Sequence, residues 1–441
     1  GFYKGSAGTY LKTITLTEEE MTDTMLLHFE GCFGKTRVLI NGNPVGSHAY
    51  GYTPFTMDIR KFLKVGDNEI QVIVHTDDDP NGRWYSGAGL YRGVNLLSAP
   101  AFHIAHDGIF VYTDHITNGH AFCKAEITVV NDLAKASGDA EGFLKLSAAK
   151  KDTGEEVAVR YQKISLPAGT SQVVPQAFVI ENAELWDTEN PYLYEVKAQL
   201  SLTSTGNVHM SLDNRQDLMA QTDYEDEITT SFGVRTITAD AKNGLLLNGK
   251  SIKLKGGCIH HDNGILGAAS FYDAEYRKVK LHKDNALRLA HNPQSEQILD
   301  ICDELGMIVF DEAFDVWNLP KNSFDFSHQF AEDGIKDIEA MVRRDRNHPS
   351  IFFWSIGNEL TEQGGMAAGY EVSAMLAKTV RNMDSTRLVS GALCSFFKGL
   401  DNEDNAAFWQ TFHKEMPQGG SVINMDNSYG KKMDGIYCPI C

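Results

Sequence analysis

No apolar run in the chain approaches the roughly 20 residues that a membrane-spanning helix requires. The longest, residues 351–356, has the length of a strand. Basic residues are also short, since 40 Lys and Arg against 59 Asp and Glu give a formal charge of −19. That balance argues against nucleic acid and membrane as partners, because nucleic acid and anionic lipid both select for cationic surfaces. Cysteines number seven, an odd count, so neither a disulfide framework nor a zinc site is indicated and reduced, mostly buried thiols are expected. Proline is sparse at 12 against 39 glycines, which excludes collagen-like and proline-rich sequence. The chain starts at Gly1 rather than Met with no visible leader, so location cannot be read there. The free thiols incline the reading towards the cytoplasm.

What is present is an ordinary globular composition, 42% hydrophobic and 22% charged. A length of 441 residues predicts two to four domains at about 100–200 residues each. Residues 1–97 alternate in short runs (9–16, 25–29, 36–40 and 68–75), the grammar of a β-sandwich. Asn41-Gly42-Asn43-Pro44 supplies a turn, with Pro44 expected to stop the ladder. Residues 98–232 repeat the pattern at 122–130, 142–149, 172–180 and 192–201, with an acidic loop at 212–227. A seven-strand immunoglobulin-like sandwich fits that length.

From residue 233 onwards the grammar changes. Apolar strands at 252–259, 286–289, 307–310, 351–356 and 388–393 alternate with helices. Ile298, Ile301, Cys302 and Leu305 recur at helical spacing before Gly306, and two further helices are expected, one over 334–346 and one through 372–383. Repeated β–α units imply a parallel sheet, doubly wound or closed as a barrel. No glycine-rich phosphate loop follows any strand, so a barrel is favoured.

Active sites of such barrels lie at the carboxyl ends of the strands. His260-His261-Asp262, Arg288 with His291-Asn292, Asp311-Glu312 and Gly357-Asn358-Glu359 occupy four consecutive strand ends. One such residue alone reads as a loop cap or ion pair; four on one rim read as catalysis. Glu359 follows an almost wholly apolar strand, which sets its carboxyl beside the kind of apolar wall a general acid uses. Arg346 and His348 precede that strand and read as a structural cluster at the barrel bottom.

The run from Arg344-Asp345-Arg346-Asn347-His348-Pro349 to Ser355-Ile356-Gly357-Asn358-Glu359 resembles the acid/base signature of glycoside hydrolase family 2. Arg288-Leu289-Ala290-His291-Asn292-Pro293, Phe310-Asp311-Glu312-Ala313 and Arg83-Trp84-Tyr85-Ser86-Gly87 resemble its other motifs. The likeness covers essentially the whole chain. It implies a sugar-binding-like jelly-roll sandwich at 1–97, an immunoglobulin-like sandwich at 98–232 and, at 233–441, an incomplete TIM barrel.

The resemblance further implies a retaining β-glycosidase acting on a carbohydrate, most consistent with a β-galactosidase. β-Glucuronidase and β-mannosidase are the alternatives, and a homo-oligomeric parent is compatible with it. Glu359 would be the acid/base and Asn358 would bind the 2-hydroxyl of the sugar. Arg288 would orient the nucleophile, while His291 and His261 would contact sugar hydroxyls. Asp311 and Glu312 belong either to the pocket floor or to pairing with Arg288, and Trp317 is either a stacking platform or core.

Two departures stand out. Val316 and Asn318 occupy the places where some relatives hold magnesium, so no metal or other cofactor is expected. Arg83 stands where an Asp near the substrate is usual. The family's nucleophile, a Glu ending a later strand, is not found among Glu362, Glu371, Glu403 and Glu415. The chain is therefore expected to be cut within its barrel, near a sixth strand at 433–438, and to be inactive alone. A non-catalytic carbohydrate-binding or scaffold protein is the alternative from another class.

Overall fold

A computed structural model describes residues 5–78, 81–133, 139–202, 224–282, 284–364 and 366–393. Glu403, Glu415, the strand expected at 433–438 and most of the acidic loop lie outside the described residues.

The first domain is a β-sandwich. One sheet carries Ala7–Leu16, Gly66–His75, Lys35–Ile40 and Asn43–His48 in that order, and the other Phe55–Asp58, Thr24–Phe29 and Val94–Ala99. Met25, Leu27, Phe29, Val38, Ile40, Val72 and Val74 fill the space between them, as period-2 alternation requires. Asn41 (φ 51°) and Gly42 (φ 78°) form the expected tight turn. Pro44, however, does not stop the ladder. It sits opposite Leu39 within Asn43–His48, an edge strand, where a missing N–H can face away from the partner.

The second domain is a seven-stranded sandwich. Phe102–Thr117, His120–Asn131 and Thr170–Ile180 form one sheet; Glu156–Leu166, Ala140–Lys150, Tyr194–Leu202 and Asp226–Phe232 form the other. Residues 226–227, expected in the acidic loop, begin the last of these strands.

The third domain contains five parallel strands, β1 (Gly256–Ile259), β2 (Ala286–Leu289), β3 (Ile308–Glu312), β4 (Ile351–Asn358) and β5 (Leu388–Ala392). Each pairs with its sequence neighbour. A doubly wound sheet reverses its strand order at a switch point; the unbroken order here is that of a partial α/β barrel. Helices α1 (Tyr272–Leu281), α2 (Glu296–Leu305), α3 (Ser327–Asp345) and α4 (Gly369–Met383) cover it. Helix α2 ends at Gly306 in the left-handed conformation (φ 71°), the stop read from sequence.

Helix α3 starts seven residues before the expected Gly334. That glycine is not a helix start but a packing position: a Cβ there would fall 2.8 Å from the Phe330 ring. Helix α1 buries only Glu275 and Val279, so it lacks the apolar stripe by which the others were recognised.

The domains share cores. Phe33, Tyr50 and Tyr52 of the first sandwich pack in one cluster with Phe314, Trp317, Phe330 and Trp354 of the barrel. Tyr50 donates a 2.5 Å hydrogen bond to the Ala313 carbonyl, and Thr53 donates to Asp337 at 2.6 Å. At the barrel bottom, Trp186 of the second sandwich donates to the Asp303 carbonyl (2.8 Å). There Asn347 accepts from the Val111 N–H and donates to the Ile109 carbonyl. Arg346 lies over the Phe110 ring (4.8 Å), and His348 Nδ1 donates to Asp303 at 2.6 Å. The Arg/Asp/His run before β4 therefore joins domains.

Candidate active site

Strand β4 is buried at all eight positions, and Glu359 follows it with φ 44°. A non-glycine residue held left-handed is strained by about 1–3 kcal/mol and persists only where neighbours fix it. Here its N–H donates to the Ala392 carbonyl (2.7 Å), and Lys321 Nζ donates to the preceding Asn358 carbonyl (2.7 Å). The turn lifts the carboxyl out of the strand onto the rim, where the side chain is 32% exposed. Its neighbour there is not the apolar wall inferred from sequence but a cation, with Arg83 Nη1 3.3 Å from Glu359 Oε2.

Arg288, ending β2, organises the other side. Its Nη2 donates to Glu312 Oε1 (2.7 Å) and Oε2 (2.8 Å) and to Asn358 Oδ1 (2.7 Å), while Nε donates to Oε2 (3.1 Å). Burial works against the Arg288 charge, but the Glu312 carboxylate outweighs it and raises the guanidinium above its ordinary value. Burial likewise works to neutralise Glu312. The Arg288 charge and the hydrogen bonds of His291 and Ser355 outweigh that and hold the carboxyl below its ordinary value. His291 Nδ1 lies 2.8 Å from Glu312 Oε1. Arg288 Nη2 lies 3.0 Å from the same nitrogen, so the His291 ring is held between the guanidinium and the carboxylate. The Ala290–His291 peptide is cis.

Asn358 is held at both ends, with Nδ2 donating to Asp315 Oδ1 (2.8 Å). Asp315 also accepts from Arg83 Nε (2.9 Å) and Nη2 (2.5 Å) and from Lys321 Nζ (3.0 Å). Burial tends to raise the Asp315 pKa, yet the Arg83 hydrogen bond and the Lys321 charge keep it below the usual carboxylate range. Burial pulls Lys321 below the ordinary lysine value although Asp315 opposes it.

The strand ends thus bring Arg288, His291, Glu312, Asn358 and Glu359 together. They do not bring His261, Asp311 or Trp317 with them. His261 is buried with its ring 4.9 Å from Tyr52, and burial and the Arg92 charge keep it neutral. Its neighbour His260 faces the site instead, 4.9 Å from the His291 ring and 6.3 Å from Trp84.

Alternation along β3 turns Glu312 inward and Asp311 towards the helices. There burial and the nearby Asp345 carboxylate push the Asp311 pKa well up, and neither carboxyl oxygen has a hydrogen-bond partner among the described residues. Trp317 is 1% exposed, donates to the Ile356 carbonyl (3.0 Å) and stacks on Phe330. It is core, and the aromatic beside the site is Trp84, 5.5 Å from His291.

Asp315 and Lys321 were not singled out in the sequence, and His260, named there at the end of the first strand, was passed over for His261 as the sugar contact. Only the period of two could have flagged His260 over His261. Nothing local marks Asp315, whose partner Arg83 lies in another domain.

Among the described residues one trio has metal-ligand chemistry, namely Asp300, Asp303 and His348. It lies at the barrel bottom, and its imidazole is committed to Asp303.

Comparison with known proteins gives three consecutive domain matches. The profile "Glycosyl hydrolases family 2, sugar binding domain" matches residues 3–100, "Glycosyl hydrolases family 2" matches 102–235, and "Glycosyl hydrolases family 2, TIM barrel domain" matches 239–403. The beta-galactosidase BoGH2A of Bacteroides ovatus is 33% identical over 91% of this chain and 46% of its own length. A putative beta-glucuronidase of Formosa agariphila is also 33% identical, over 89% of this chain and 35% of its own. A solved family 2 member from Bacteroides cellulosilyticus superposes with a TM-score of 0.79 at 35% identity, covering 88% of this chain and 48% of that one. The chain spans less than half the length of these relatives. Three consecutive domain matches, and a site built from the strand ends of the last, place the chain in glycoside hydrolase family 2.

Proposed function

We propose that the chain carries the acid/base half of a retaining β-glycosidase site and that the substrate is a terminal β-galactoside. The observation that carries this reading is Glu359, turned out of a fully buried strand onto the open rim beside the fixed Asn358. Protonated Glu359 gives its proton to the glycosidic oxygen as the bond to the anomeric carbon breaks. The resulting carboxylate then takes a proton from the water that releases the sugar. Asn358 keeps one N–H and one lone pair for the 2-hydroxyl, and His291 Nε2 is left for another hydroxyl.

A galactoside is preferred because Arg83, Arg288 and Lys321, the cations at the described site, are already paired with carboxylates. A uronic acid would call for an uncommitted cation. The attacking carboxylate is not supplied by the described residues, where Glu312 and Asp315 are both saturated by cations. The described residues by themselves therefore do not complete a double displacement. A purely sugar-binding scaffold would have no use for the Arg288–Glu312–Asn358 array.

The test is an assay of nitrophenyl β-galactoside, β-glucuronide and β-mannoside with the whole open reading frame that contains this chain. Preference for the galactoside, with at least about 100-fold loss in Glu359→Gln, is the expected result. Unchanged turnover in that variant would overturn the reading.

A further inference from the structure

Lys321 stands on the loop between β3 and helix α3 with only 9% of its side chain exposed. Its ammonium has three hydrogens and uses all of them. Nζ donates to the Asp315 carbonyl (2.6 Å), to Asp315 Oδ1 (3.0 Å) and, across the rim, to the Asn358 carbonyl (2.7 Å). Balancing the Asp315 charge does not account for this arrangement. Arg83 already grips that carboxylate through Nε and Nη2, and two of the three lysine bonds go to backbone carbonyls, which carry no net charge. An ammonium is costly to bury, and here most of its hydrogen bonding fixes backbone geometry.

The Asn358 carbonyl lies where pairing between β3 and β4 ends, just past the bond from the Asn358 N–H to the Phe314 carbonyl (2.9 Å). Buried carbonyls need a donor, and at Asn358, 1% exposed, Lys321 supplies it. That carbonyl shares a rigid peptide plane with the Glu359 nitrogen and α-carbon, so whatever holds it also sets the direction in which the left-handed Glu359 (φ 44°) projects.

Lys321 is itself anchored. Its N–H donates to Asp325 Oδ2 (2.7 Å), and Asp325 Oδ1 accepts from the Ser327 N–H (3.1 Å) and hydroxyl (2.6 Å) at the start of α3. On the far side of the turn, Oε1 of the fully buried Glu362 accepts from the Leu319 N–H (2.6 Å). One loop therefore clasps the chain before Glu359 through Lys321 and after it through Glu362. We propose that Lys321 is the positioning residue of the acid/base: by holding the Asn358–Glu359 peptide it aims the Glu359 carboxyl at the leaving oxygen. This rests on the reading of Glu359 as the acid/base, and its consequence is specific. A misaimed carboxyl fails to protonate the leaving oxygen, which matters most where the departing group is poor and little where it leaves as a stable anion.

The experiment compares kcat/KM of the whole open reading frame on the phenyl and 2,4-dinitrophenyl β-glycosides of the sugar it prefers, since kcat/KM reads the steps up to cleavage of the glycosidic bond. Lys321→Met should lose about 10- to 100-fold on the phenyl glycoside and less than about threefold on the dinitrophenyl one. Lys321→Arg keeps a charge for Asp315, but its planar fork cannot serve three oxygens around one nitrogen. It should unfold in urea as the parent does and still lose at least about fivefold more on the phenyl glycoside, so it carries the test if the Met variant does not fold. Glu359→Gln should show the same selectivity more strongly. Equal losses on the two substrates, or none, in the folded Lys321 variants while Glu359→Gln is selective would overturn this inference alone. A Glu359→Gln variant without selectivity would overturn the acid/base reading and this inference with it.

Discussion

Arg83 of the first sandwich places Nη1 3.3 Å from Glu359 Oε2 while Nε and Nη2 hold Asp315. One side chain from a separate domain thus touches the candidate acid/base and anchors the carboxylate that fixes its neighbour Asn358. Arg83→Gln removes a two-pronged partner from a buried carboxylate and leaves Lys321 to balance it alone. A loss of about 2 kcal/mol in stability is expected from the broken charged hydrogen bonds, measured by urea denaturation, with Arg83→Lys recovering part of it.

His348 supplies a pH signature. Burial alone would lower its pKa, but the Asp303 carboxylate, by charge and a 2.6 Å hydrogen bond, lifts it to about 9 from 6.5. A raised folded value means that this stabilisation is complete below pH 6.5 and is lost as pH climbs through 9. The chain should lose up to about 3 kcal/mol over that window. The same titration on His348→Gln should be flatter, as followed by denaturation at pH 6.5 and 9.5.

Asp311 predicts the opposite kind of result. Burial and the Asp345 carboxylate, which Arg344 holds through Nε at 2.5 Å and Nη2 at 2.7 Å, both disfavour a charge on its carboxyl. An amide fills the same space with no charge to bury and no proton to take up on folding. Asp311→Asn should therefore match or exceed the parent in stability at pH 7, by about 1 kcal/mol, in thermal or urea unfolding. A catalytic Asp311 would instead leave stability unchanged and abolish turnover by the whole reading frame.

The two histidines after β1 should separate cleanly. His260→Ala is expected to lower kcat/KM of the whole reading frame by about 10- to 100-fold with little change in unfolding. His261→Ala opens a space beside Tyr52 and should cost about 2–3 kcal/mol of stability. Steady-state kinetics and melting curves on both variants check this.

Much of the architecture was legible because its signals are local. Period-2 runs marked the sandwich strands, and the left-handed Gly306 marked the end of α2. The almost wholly apolar β4 announced the residue that follows it. What stayed hidden depended on distance or on facing. Pairing of Arg83 with Asp315 spans two domains, and no spacing encodes it. Glu312 and Asp311 are adjacent letters with opposite directions, as are His260 and His261. The apolar strand before Glu359 suggested a dry carboxyl, and only the left-handed turn after Asn358 shows it beside a guanidinium.

The Tyr50–Tyr52 loop has a consequence for biogenesis. It is part of the barrel's core, yet it leaves the ribosome before any barrel strand does. Domains fold as units during synthesis, N-terminal ones first. The first sandwich is then a finished template against which Phe314, Trp317 and Phe330 condense. Damage to its strands would surface as poor yield of soluble barrel, long before any effect on sugar chemistry could be seen.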